Sequence, residues 1–127
     1  MTFIKAFHWI GRITAVLLFL LWGAFFVEHL TEWFKDAAHL PPASVFIKQF
    51  FHLLMLVGYL VVFKWKVAGS FIIILGALLF FGSIGVNAMI TFFTISIIPA
   101  VIFLFVLYFE KKILSTTSVD KVSQSKE

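Results

Sequence analysis

The chain has 127 residues, of which 62% are hydrophobic and 13% charged, with 18 Phe and no Cys. Soluble domains carry about 45–50% apolar and about 25% charged residues, so this much apolar surface on so short a chain requires lipid as part of its solvent. The lack of Cys excludes disulfides, thiolate metal sites and thiol nucleophiles, and no nucleic-acid-binding motif accompanies the net charge of +4.

The charges divide the chain into blocks. Fifteen uncharged residues lie between Arg12 and Glu28, another 15 between Lys48 and Lys64, and 43 run from Val67 to Phe109. A helix needs about 20 residues to cross a hydrocarbon core of about 30 Å, so the longest block is two spans joined near its one strongly polar residue, Asn87. Sheets with open edges and irregular chain are excluded, because lipid satisfies no backbone hydrogen bonds. The fold class is therefore all-α: a polytopic membrane protein with a bundle of four transmembrane helices, predicted at about 7–34, 45–63, 67–86 and 91–109.

The first segment begins with Lys5 and Arg12 and has an apolar run from Ile13 to Val27, which resembles a signal peptide. No small-x-small cleavage site follows promptly, and Glu28, Leu30, Trp33 and Phe34 continue the helical pattern, which favours an uncleaved helix. Its short apolar block borrows polar ends, His8, Trp9 and Arg12 below and Glu28, His29 and Glu32 above, and Arg12 can snorkel to its interface. Gly11 and Ala15 form a weak small-residue pair on it. The connection that follows, about Lys35 to Ser44, contains Pro41 and Pro42, which stop a helix.

The second and third segments are separated only by Lys64-Trp65-Lys66, so they are antiparallel neighbours. The third carries Gly69, Gly76 and Ser83 at intervals of seven, along one seam. Small residues on a seam let membrane helices approach closely, either within the chain or as a face for a homo-oligomer or a partner membrane protein. In the fourth segment Pro99 removes a helix hydrogen bond and frees the carbonyl of Ile95 for a hydroxyl or water. Beyond Phe109 the chain turns Ser/Thr/Lys-rich, so residues 1–114 are expected to form the membrane domain and 115–127 a disordered polar cytoplasmic tail.

Orientation follows from the basic residues. An inside N-terminus places Lys5, Arg12, Lys64, Lys66, Lys111, Lys112, Lys121 and Lys126 in the cytoplasm, eight of ten. Both termini are then cytoplasmic, and the positive charge serves topology and contact with anionic lipid. Trp9, Trp65 and Tyr108 fall at the inner interface and Trp33 at the outer one, as an aromatic belt requires.

Polar residues within a span are costly and concentrate attention. Glu28, His29 and Glu32 share an arc of about 100° on the first helix, and Lys48, Gln49 and His52 have the same spacing on the second. Facing each other near the outer interface, the six would form an interhelical polar clamp in which Lys48 pairs with Glu28 or Glu32. The same residues admit a divalent-metal site of Glu28, His29, Glu32 and His52, with His39 as a further ligand. They also admit a haem held between His29 and His52, or a proton relay or quinone-head-group site. At the inner end His8 and Arg12 lie one turn apart, placed to meet lipid phosphate.

Small multidrug exporters keep an acid well inside their first helix. Here Ile13 to Val27 contains none, which disfavours a drug–proton antiporter, and no continuous polar stripe suggests a channel. Soluble-enzyme motifs are absent as well. Gly11-Arg12-Ile13, Trp22 to Trp33 (WGAFFVEHLTEW), Pro41-Pro42, and His52 to Trp65 (HLLMLVGYLVVFKW) followed by Gly69 resemble small uncharacterised bacterial four-helix membrane proteins. The resemblance covers roughly the first 80 residues. It implies the same topology and brings no activity with it. The expectation is a non-enzymatic structural or accessory protein of the inner membrane, packed with lipids or a partner membrane protein. The alternative is a metal- or haem-binding one.

Overall fold

A computed structural model describes residues 2–35 and 42–127, with the backbone alone at 33, 34, 88 and 89. His39 and Pro41 lie outside these residues. Four helices follow in order: α1 Thr2–Lys35, α2 Ala43–Val61, α3 Lys66–Ile84 and α4 Val86–Gln124. There are no strands among the described residues. All four helices are long and apolar enough to cross a membrane.

Sequence neighbours are neighbours in space, and α4 closes the ring against α1. The core is correspondingly thin: Ala15 and Trp22 from α1, Met55 and Tyr59 from α2, Ile73 and Ala77 from α3, and Ala100 and Phe103 from α4 are buried in it. Leu17, Leu20, Phe50, Phe71, Ile90 and Val101 point outward and are exposed. In water such a skin would drive aggregation; against hydrocarbon it costs nothing.

Close backbone approach sets the packing of α2 on α3. A Cβ at Gly69 would run into the backbone of Val62, one at Gly76 would sit 2.7 Å from the Met55 nitrogen, and one at Gly58 would sit 2.8 Å from that of Ile73. Gly69 and Gly76 of the small-residue seam are thus occupied within the chain. Ser83 lies apart from them, exposed, with its hydroxyl donating to the Phe80 carbonyl at 2.6 Å. In this packing α2 covers both positions. Gly11 does the same service between α1 and α4, where a Cβ would lie 3.0 Å from Ile102.

Two boundaries differ from expectation. The break in the long apolar block falls at Gly85 and not at Asn87, since Gly85 has φ 148°, a conformation open to a residue without Cβ. Asn87 lies in the first turn of α4. The tail expected to be disordered from 115 instead continues α4 as far as Gln124. No Gly or Pro follows Pro99 to interrupt it, and the hydroxyls of Thr116 and Thr117 donate back to the carbonyls of Lys112 and Ile113, each at 3.0 Å. At 39 residues α4 is about 58 Å long, nearly twice the thickness of a hydrocarbon core of about 30 Å.

The features near the α2–α3 turn converge at one end of the bundle. Lys66 at the start of α3 pairs with Glu110 of α4 at 3.7 Å, and Phe7 meets Phe105 at 5.7 Å between ring centroids. Exposed Trp9, Trp65 and Tyr108 lie at this end, with Arg12 over the Trp9 ring at 5.9 Å and Lys64 over Trp65 at 5.2 Å. Tyr59 of α2 donates its hydroxyl to the Ser96 carbonyl of α4 at 2.8 Å. That is the residue next to Ile95, whose carbonyl Pro99 was expected to free.

Candidate functional site

At the end of the bundle opposite the α2–α3 turn, the four helices line a partly open cavity of about 450 Å³. Leu21, Trp22, Phe25 and His29 of α1 form one wall, and Val45, Lys48, Gln49 and His52 of α2 a second. Phe80, Phe81 and Ile84 of α3 and Phe92 and Ile95 of α4 complete it. The i, i+3, i+4 spacing on α1 and α2 explains why these residues share a face. His29 and Val45 are nearest the end of α1 and the start of α2. Trp22, His52 and Phe81 lie deeper, so His29 and Lys48 form the rim and the aromatic rings the floor.

The floor is an aromatic cage around one imidazole. His52 stacks on Phe80 at 4.5 Å between centroids and receives the edges of Phe26 at 5.5 Å and Trp22 at 6.3 Å. Trp22 also meets Phe81 at 5.3 Å and Phe92 at 5.9 Å. Only 3% of His52 and 8% of Trp22 is exposed, yet neither His52 Nε2 nor Trp22 Nε1 has a hydrogen-bond partner among the described residues. Buried polar atoms are nearly always satisfied, so two such atoms side by side in one wall call for an explanation. Nearer the rim, Gln49 donates to the Phe26 carbonyl at 3.4 Å. His29 donates from Nδ1 to the Phe25 carbonyl at 2.8 Å, which leaves Nε2 as an acceptor.

Of the six residues in the expected polar cluster, His29, Lys48, Gln49 and His52 come together in this cavity. Glu28 and Glu32 do not. Glu28 is exposed and lines a different surface groove, between α1 and α2, with Thr31 and Val57; Glu32 is exposed and lines neither. The 100° between consecutive residues is enough to send Glu28 and His29 to opposite sides of the α1–α2 contact. Lys48 accordingly forms no ion pair with either acid, and the only ion pair among the described residues is Lys66–Glu110. No group of three or more His, Asp or Glu that could hold a metal forms among the described residues. The two imidazoles of the haem reading do share the cavity, one at its rim and one at its floor.

Sequence reasoning passed over the aromatic and aliphatic part of this wall, Leu21, Trp22, Phe25, Phe80, Phe81, Phe92 and Ile95. In so apolar a chain no single Phe stands out. Trp22 does carry a signal, since Trp in membrane helices favours the interfaces and this one sits mid-span.

A family model described as a domain of unknown function (DUF7670) matches residues 1–115. The chain belongs to that family. The match takes in α1, α2, α3 and α4 as far as Ser115, and leaves the last turns of α4 outside it. No curated protein and no solved structure matches the chain.

Proposed function

We propose that this chain is a non-catalytic accessory protein of a bacterial inner membrane, with both termini cytoplasmic, that holds a hydrophobic molecule between its four helices. It packs with lipid and with a partner membrane protein through its outward Phe, Leu and Ile faces. The observation that carries this reading is the cavity. All four helices contribute to a wall that is almost wholly apolar, and small-molecule sites have this character, with a few polar groups to fix orientation. The rim of His29 and Lys48 and the floor of His52 and Trp22 supply those groups.

The test is native mass spectrometry of protein extracted gently into detergent. Wild type is expected to retain a bound hydrophobic species, and Ile95→Trp, which fills the cavity, is expected to lose it while keeping its helical circular dichroism. A haem between His29 and His52 would appear in the same spectrum by its mass and as a Soret band. Identical spectra for the two proteins, with nothing retained, would reduce the chain to a packing element without a ligand.

A further inference from the structure

We infer that the cavity takes one acyl chain of an acidic amphiphile, whose anionic head group, a carboxylate or a phosphate, rests at the rim against Lys48. This rests on the reading of the cavity as a ligand site and names the class of ligand.

Charge separates this occupant from other apolar ones. Lys48, half-buried, lines the cavity, and no Asp or Glu among the described residues lines it with Lys48. Glu28 and Glu32 of α1 face elsewhere, and Lys48 forms no ion pair among the described residues. Beside Lys48, Val45 brings the first turn of α2 to the same wall. That turn contains no acidic residue, and its N-cap, Pro42, makes no side-chain hydrogen bond. The positive end of α2 therefore adds to the ammonium on one side of the rim. A cation at the edge of an apolar site is costly without a counter-charge. A carboxylate or phosphate set there supplies it through charge-assisted hydrogen bonds; an alcohol or an uncharged ring does not.

The second argument is access. Away from the cavity α1 and α4 touch closely at Gly11, where a Cβ would lie 3.0 Å from Ile102. At the cavity, Leu21 and Phe25 of α1 and Phe92 and Ile95 of α4 line it and are exposed, whereas His52 and Phe81 on the far wall are buried. The cavity is thus open between α1 and α4, on a flank that meets hydrocarbon when the helices span a bilayer. A tail enters there from lipid without crossing water. A volume of about 450 Å³ lies within the range of small-molecule pockets, about 300–1,000 Å³. Because the tail exchanges one apolar surrounding for another, the walls give it little preference. Selectivity then falls on the head group, and so on Lys48.

The inference is tested by calorimetric titration of the full chain in a non-ionic detergent with two pairs of amphiphiles that share a tail. One pair is oleate and oleyl alcohol; the other is lysophosphatidylglycerol and lysophosphatidylcholine. In at least one pair, wild type is expected to bind the acidic member about tenfold more tightly or better, and the pair that shows this tells carboxylate from phosphate. Lys48→Gln is expected to erase that preference without changing the affinity for the neutral member, and Lys48→Arg to keep it. Lys64→Gln, at the other end of the bundle, is expected to keep it as well. Ile95→Trp is expected to weaken acidic and neutral members alike. Equal affinity within both pairs overturns the inference on wild type alone, whether or not any variant folds. A preference that survives Lys48→Gln overturns it too, and so does one that Lys64→Gln removes as fully, since net charge would then be its source. A retained species in the mass spectrum with no preference in either pair would sink the acidic head group and leave the cavity's function standing. Absence of both retention and binding would remove the two together.

Discussion

His52 is the residue on which the site turns. Its spacing from Lys48 and Gln49 marked it from the sequence as one of a polar set, and it does occupy the cavity floor. Its neighbours, however, are Trp22, Phe26 and Phe80 rather than the carboxylates of α1. A double-mutant cycle separates these surroundings. Glu28→Gln is expected to change stability in detergent by less than about 0.5 kcal/mol, since Glu28 is exposed. His52→Ala removes buried ring contacts and is expected to cost about 1–3 kcal/mol. The two effects should add to within about 0.5 kcal/mol, because the side chains line different depressions. A larger coupling would mean that Glu28 turns inward to the imidazole.

Helix pairs are set by where the backbone can approach, and that is decided by glycine. Gly69 and Gly23 look alike in sequence, each within an apolar run. In the bundle a Cβ at Gly69 meets the backbone of Val62, which cannot yield, while a Cβ at Gly23 meets nothing within 4 Å. Gly69→Ala is therefore expected to lower stability by about 1–3 kcal/mol through overpacking. Gly23→Ala should be neutral, or stabilising by up to about 1 kcal/mol through helix propensity. Urea unfolding in mild detergent measures both, and equal losses would show that α2 and α3 are not packed this closely. The number and order of the helices were legible from the charge blocks, since hydrocarbon thickness alone dictates them. Their ends were less so. The break at Gly85 needed one conformation that Asn87 does not demand, and the helical extension past Phe109 needed local hydroxyl bonds that composition does not reveal.

At the scale of the whole molecule, cysteine labelling reads direction across the membrane. Because the chain has no Cys, single substitutions report without background removal. Lys35→Cys, at the end of α1, is expected to react with an impermeant maleimide in intact cells. Lys64→Cys, in the α2–α3 turn, is expected to react only after permeabilisation. The reverse pattern would invert the proposed orientation and place the cavity mouth on the cytoplasmic side.

Composition and the spacing of charges were sufficient for a four-helix membrane chain, because those properties depend on lengths and on the cost of charge in hydrocarbon. They also singled out His29, Lys48, Gln49 and His52, since polar residues are conspicuous in an apolar sequence. Only the tertiary structure decided which of them meet. The rotation of α1 about its own axis sends Glu28 outward and Trp22 inward, and one sequence does not contain that angle. It is set by contacts such as Gly11 against Ile102 and Phe103 of α4, between residues far apart in the chain, and with it the aromatic floor of the cavity is assembled.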